Sequence, residues 1–169
     1  MSLAAEVLGA ARARGVLIAT AESCTGGLIA AALTEVPGSS DVVDRGFVTY
    51  SNAAKRQMLG VNPAALDAFG AVSEQVAAEM ASGALAHSDA NLAVAVTGIA
   101  GPGGSDHKPE GRVCFGVATA SGVTTPEVAT ETIDFGPIGR HRVRAATVDH
   151  ALRLLLQHLG QHRVGETDS

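Results

Sequence analysis

The chain has 169 residues, a formal net charge of −5 and a pI near 5.6. That length suffices for one domain with a substantial core, and the acidic balance speaks against a nucleic-acid surface, which needs clustered positive charge. Apolar residues make up 46% but aromatic ones only 3%, with no Trp, so the core must be built from Ala, Val, Leu and Ile. No apolar stretch approaches the roughly 20 residues of a membrane span.

Residues 3 to 14 carry apolar positions 3, 4, 7, 8 and 11, a helical stripe. The opening residues lack a basic region before an apolar one and so do not read as a secretion signal. Residues 16 to 20 read as a buried strand. The polar segment Ala21-Glu22-Ser23-Cys24-Thr25-Gly26-Gly27 follows, and Thr25 is expected to cap a helix over 26–35. Pro37-Gly38-Ser39-Ser40 ends that helix. A strand is expected within 42–50, and Asn52 starts a short helix carrying Lys55. Pro63 fits the first turn of another. Ser73 is an N-cap for a helix to about residue 86, with Glu74 and Gln75 in its first turn. Leu92 to Val96 is continuously apolar, as a central strand should be. After the glycine-rich stretch 97–111 come strands near 112–119 and 126–134 and a final helix over about 140–160. This alternation predicts an α/β fold: a single three-layer domain with a central mixed β-sheet flanked by helices. The domain is assigned to residues 1–164, and 165–169 to a frayed, disordered tail.

Open α/β sheets place ligands where strands end and helices begin, so the glycine-containing turn after the first strand is the leading candidate site. Three polar loops follow predicted strands, at 21–27, at 38–41 with 50–55, and at 97–109. Together they offer Ser23, Ser39, Ser40, Tyr50, Lys55 and Thr97. There is no G-x-S-x-G elbow and no His in these loops except His107, which argues against a Ser-His-Asp triad. What remains is a hydroxyl with a lysine. A Ser becomes a nucleophile when a neutral Lys takes its proton, and burial lowers a Lys pKa toward the working pH. The only lysines are Lys55 and Lys108. The loop from Gly98 to Gly104 is neither a P-loop nor a dinucleotide fingerprint. It serves either to cradle a phosphate through backbone N–H groups or to wrap over a pocket. The two cysteines, Cys24 and Cys114, suggest a reducing compartment, hence a cytoplasmic location. Cys24 reads as a packing residue at the strand-to-helix junction. His158 and His162 share helical spacing without a third ligand nearby, so no metal site is expected.

The strings AESCTGG, PGSS, RGFVTYSNAAK, GAVSEQVAAEMASGAL, VAVTGIAGPGG and KPEG, in this order from about residue 6 to 160, resemble the CinA C-terminal family. That family includes stand-alone bacterial nicotinamide-nucleotide amidases, and the large N-terminal domain of some members has no counterpart in these residues. The resemblance implies hydrolysis of the nicotinamide mononucleotide carboxamide to nicotinic acid mononucleotide and ammonia, without metal or other cofactor, in pyridine-nucleotide recycling. It implies Ser40 and Lys55 as the catalytic dyad, with Ser23, Tyr50 and Thr97 as supporting polar residues; Ser23, beside the Gly-Gly helix start, competes with Ser40 for the role of nucleophile, a choice that sequence spacing cannot make. Arg140 in Arg140-His141-Arg142-Val143-Arg144 is implied as a substrate contact, with Arg144 next in line. Phe135-Gly136-Pro137-Ile138-Gly139 stands where the family carries an acidic-basic loop. Thr25, Gly26, Thr97 and Gly98 complete the expected substrate-binding set. The expected partners are a small-molecule nucleotide and further copies of the chain, as a dimer, with neither nucleic acid nor membrane. The alternative is a catalytically silent nucleotide-binding or interaction protein tied to competence or DNA damage.

Overall fold

A computed structural model describes residues 1–105, 107–122 and 125–161. The tail expected at 165–169 lies outside them, as does His162. The elements in chain order are α1 (Leu3–Arg14), β1 (Ile18–Glu22), α2 (Leu28–Thr34), a short 3-10 turn (Ser39–Asp41), β2 (Val43–Val48), α3 (Asn52–Leu59), α4 (Pro63–Phe69), α5 (Glu74–Ala86), β3 (Leu92–Gly98), β4 (Arg112–Thr119), β5 (Glu127–Asp134) and α6 (Arg140–Gln161). Side-chain caps start most of the early helices. Ser2, Ser51, Asn62 and Ser73 each accept an N–H of the first turn of α1, α3, α4 and α5. The expected Thr25 cap is not formed. Gly27, at φ 108°, is the N-cap of α2 and makes no side-chain bond, and the Thr25 hydroxyl turns to the Glu22 carboxylate instead.

The sheet has the order β2-β1-β3-β4-β5. β2, β1 and β3 run parallel, and β4 and β5 extend the sheet antiparallel, as the mixed-sheet reading expects. The period of two in β3 separates two cores. Leu92, Val94 and Val96 join Ile18, Val113, Phe115 and Val117 against the residues of α1, α2 and α6. Ala93 and Ala95 join Ala19, Ala21 and Ala118 against Leu59, Val61, Leu66, Val76 and Met80. This second face is paved with small residues, and α5 lies close to it. A Cβ on Gly116 of β4 would sit 2.6 Å from the Ala77 carbonyl oxygen of α5. The scarcity of aromatic residues is thus matched by helices that approach the sheet closely.

The chain leaves β1 through α2 on one face and reaches β2. It returns through α3, α4 and α5 on the other face to β3, on the far side of β1. The connections therefore diverge at the carboxyl ends of β1 and β3, the switch point where such sheets bind ligands. The Ser23 N–H donates to the Val96 carbonyl across that point, at 3.0 Å.

Candidate active site

Ser23 is the first residue past β1 and is buried. Lys55 enters from α3, in the turn of helix that follows the Ser51 cap. Although Lys is among the residues least often buried, its side chain is only 1% exposed. Its Nζ lies 2.9 Å from Ser23 Oγ and donates at 2.9 Å to the Thr49 carbonyl oxygen. Removal of the ammonium from water pushes the Lys55 pKa down to about 8, from an ordinary value of 10.5. A minor fraction, on the order of a tenth to a fifth, then carries a neutral amine near pH 7, against fewer than about one in a thousand for an ordinary lysine. That amine can accept the Ser23 hydroxyl proton while still donating to Thr49.

These groups open into a cavity of about 370 Å³, bounded by Ser23, Cys24, Tyr50, Lys55, Thr97 and Arg140 together with the loop after β3. Tyr50 is 62% exposed at the rim, and its hydroxyl accepts from Arg140 Nη2 at 2.9 Å. Arg140 Nη1 donates to the Gly101 carbonyl at 2.8 Å. The Thr97 hydroxyl donates to the Ala71 carbonyl at 2.8 Å. Gly98 is where the chain presses against β4: a Cβ there would lie 2.7 Å from Val113 Cγ2 and 2.9 Å from the Arg112 carbonyl oxygen. The glycine-rich loop wraps over the cavity, the second of the two roles open to it. It is pinned by Lys108, whose Nζ donates to the Phe69 and Val72 carbonyls at 2.6 and 2.5 Å, and by the Glu110 carboxylate, which accepts the Gly103 N–H.

The geometry does not bring Ser40 to Lys55. Ser40 is exposed on the 3-10 turn that precedes β2, whereas Lys55 follows β2. Six residues of extended strand lie between them, so Ser40 belongs to the opposite sheet edge, about 20 Å away. Thr25 and Gly26 do not line the cavity. Thr25 is fully buried, and Gly26 makes the turn with φ 59°. The Cys24 thiol does line it, but burial pushes its pKa up to about 11, which disfavours a thiolate at neutral pH.

Sequence reasoning gave no role to Glu22. Its carboxylate is 1% exposed and accepts the Thr25 hydroxyl and the N–H groups of Ile29 and Ala30, at 2.8 and 3.1 Å for the two amides. The carboxylate occupies the positive end of α2, so those two donors are not free for a substrate anion. The available signal was a lone carboxylate ending an otherwise apolar strand. Arg144 closes the same turn from the other side, with Nε and Nη2 donating to the Cys24 and Thr25 carbonyls at 3.1 and 3.2 Å.

The model of the CinA C-terminal domain matches residues 1–159. The chain belongs to that family. It is 47% identical over 165 residues to the Nicotinamide-nucleotide amidohydrolase PncC of Escherichia coli strain K12, covering 96% of both chains. It is 52% identical over 139 residues to a CinA-like protein of Mycolicibacterium paratuberculosis, covering 82% of this chain but 32% of that longer one. The crystal structure of a competence/damage inducible protein from Agrobacterium tumefaciens superposes with a TM-score of 0.86 at 53% identity, over 94% of this chain and 93% of that one.

Proposed function

We propose that this CinA-family chain is an amidohydrolase that converts nicotinamide mononucleotide to nicotinic acid mononucleotide and ammonia, with Ser23 as nucleophile and Lys55 as its base. The observation that carries the reading is the 2.9 Å contact between Ser23 Oγ and a buried, pKa-depressed Lys55 in the cavity at the switch point. The substrate is taken from the amidohydrolase that matches this chain end to end.

Neutral Lys55 accepts the Ser23 hydroxyl proton as Oγ attacks the carboxamide carbon. The C–O bond forms, and the carbonyl electron pair moves to oxygen as an oxyanion. Collapse of that intermediate breaks the C–N bond, and Lys55 returns its proton to the leaving nitrogen, which departs as ammonia. Water then attacks the Ser23 ester, with Lys55 again taking and returning one proton. The acid is released and the Ser23 hydroxyl is restored.

Arg140 stands at the rim with N–H donors beyond the two it uses, and is the seat for the substrate phosphate. The start of α2 is not, because Glu22 occupies it. Tyr50 orients Arg140, and Thr97 holds the 69–72 segment at the cavity wall. Pyridine-nucleotide recycling is the corresponding physiological role, and self-association as a dimer is the expected assembly. The direct test is ammonia release from nicotinamide mononucleotide by the purified protein. Turnover that disappears in Ser23→Ala supports the reading. No release above that variant would leave a binding module.

A further inference from the structure

The turn that carries Ser23 is gripped by an arginine that does not line the cavity. Arg144, half-buried on α6, forks onto two consecutive carbonyls, Cys24 by Nε at 3.1 Å and Thr25 by Nη2 at 3.2 Å. No carboxylate pairs with it among the described residues. The fork is planar and rigid, so it fixes the directions of both peptide units. In a trans peptide the N–H points opposite to its C=O. With the Cys24 and Thr25 carbonyls turned toward α6, the N–H groups of Thr25 and Gly26 are turned away from it. Gly26 N–H closes the turn on the Ser23 carbonyl at 3.1 Å. The N–H groups of Cys24 and Thr25 donate to no acceptor among the described residues. Cys24 itself lines the cavity beside Ser23. The Glu22 carboxylate accepts the Thr25 hydroxyl, so side chains from both β1 and α6 engage the turn.

We propose that Arg144 is a positioning residue: by holding the Cys24 and Thr25 carbonyls it fixes the turn so that the Cys24 N–H, the free amide beside Ser23 at the cavity, receives the oxyanion formed on the scissile carboxamide. The proposal rests on Ser23 being the nucleophile. The amide after the nucleophile is the usual oxyanion donor at a strand-to-helix turn. This assigns to Arg144 a role other than phosphate binding, and the two roles differ in their kinetics. A donor to the oxyanion acts only in the transition state, so its loss lowers kcat with KM unchanged. A phosphate contact acts in both states, so its loss raises KM.

The experiment uses Arg144→Lys and Arg144→Ala with two readouts. The first is steady-state hydrolysis of nicotinamide mononucleotide. The second is the rate of Ser23 labelling by diisopropyl fluorophosphate, identified by peptide mass spectrometry. In that labelling Ser23 Oγ bonds to phosphorus, fluoride leaves, and Lys55 takes the hydroxyl proton. Arg144→Lys should lower kcat by about ten- to a hundredfold, since one oxyanion donor is worth on the order of 100-fold. KM should stay within about twofold, the labelling rate should fall in parallel with kcat, and the melting temperature should be retained. Added guanidinium ion should restore part of the loss in Arg144→Ala. If that variant does not fold, Arg144→Lys decides alone. A raised KM with kcat kept would make Arg144 a phosphate ligand and overturn the proposal, as would wild-type kcat and labelling in Arg144→Lys. A wild-type protein inert toward the mononucleotide but labelled at Ser23, with Arg144→Lys slowed, would overturn the substrate and leave the proposal standing. Turnover of the mononucleotide without labelling of Ser23 would overturn the proposal and its nucleophile together.

Discussion

Two serine-bearing turns compete for the chemistry of this chain, and they differ in where the sheet puts them. Ser23 and Ser40 both stand beside glycines between a helix and a strand, and both carry an unremarkable hydroxyl. Ser23 follows β1, whereas Ser40 precedes β2. Because β1 and β2 are parallel, the two turns lie at opposite edges of one sheet. Lys55 follows β2 and therefore shares an edge with Ser23. Chain direction through a strand, rather than proximity in sequence, decides which hydroxyl meets the amine.

The largest expected effect breaks or upholds this comparison directly. Ser23→Ala and Lys55→Ala should each reduce kcat by at least about 1,000-fold, and the double variant should be little worse, since dyad members act as a unit. Ammonia release at saturating substrate measures all three. Additive losses would mean that the two residues do not work together. Equal loss in Ser40→Ala would return the nucleophile to the other turn.

The pH profile sharpens the same point. Only neutral Lys55 can accept the Ser23 proton, so kcat/KM should rise about tenfold per unit below a pH near 8 and level above it. A base of ordinary pKa would keep the rate climbing toward pH 10. Stability shifts in the same sense. The folded pKa of about 8 lies below the ordinary 10.5, so between those values the unfolded chain binds more protons and stability increases with pH. The buried charge costs folding on the order of 3 kcal/mol at neutral pH, where both states are protonated. Lys55→Met should therefore be inactive yet no less stable at pH 7, with its advantage shrinking between pH 8 and 10.5 in urea unfolding.

Arg140 tests the other end of the substrate. Arg140→Ala should raise KM about tenfold while changing kcat less, because a phosphate contact is made in ground and transition states alike. The contacts to Gly101 and Tyr50 vanish with it. Tyr50→Phe, which removes only the hydroxyl that accepts from Arg140, should raise KM to a smaller extent. A kcat loss at constant KM in both variants would relocate the phosphate.

Much of this architecture was legible in the sequence. Ser73 and Pro63 marked helix starts, the apolar run 92–96 marked the central strand, and alternating strands and helices placed the site at strand ends. Lys55 was legible through the scarcity of lysine. Its hydrogen-bond partner stays open between Ser23 and Ser40 in the sequence, with Ser40 favoured by resemblance, because sequence spacing carries no edge of the sheet. The argument was nonetheless available: a six-residue strand between Ser40 and Lys55 already separates them by about 20 Å. Thr25 was read as a cap from its residue type alone, whereas the buried carboxylate of Glu22 competes for the same hydroxyl and for the amides of α2. Such competition depends on which side chains the fold buries together, and residue order does not encode it. Arg144 is the counterpart case: a cation near an anionic substrate suggests a phosphate ligand until its donors are seen to be engaged on Cys24 and Thr25.

The smallest expected effect belongs to Ser40 and closes the comparison from its other side. Its side chain is exposed on a three-residue turn at the edge remote from the cavity. The hydroxyl of that turn which is buried is that of Ser39, donating to the Thr34 carbonyl at 3.4 Å. Removing the Ser40 hydroxyl strands no buried partner, and exposed substitutions of this kind usually change stability by less than about 0.5 kcal/mol. Ser40→Ala should keep kcat and KM within about twofold of wild type, with an unchanged melting temperature. Cys24→Ala should cost more than Ser40→Ala, through the packing lost beside Ser23, and far less than Ser23→Ala, because a thiol with a pKa of about 11 supplies little thiolate. Measured together, the losses should fall in the order Ser23, Cys24, Ser40. A Cys24→Ala variant as inactive as Ser23→Ala would show that the thiol, and not the hydroxyl beside it, is the group on which turnover depends.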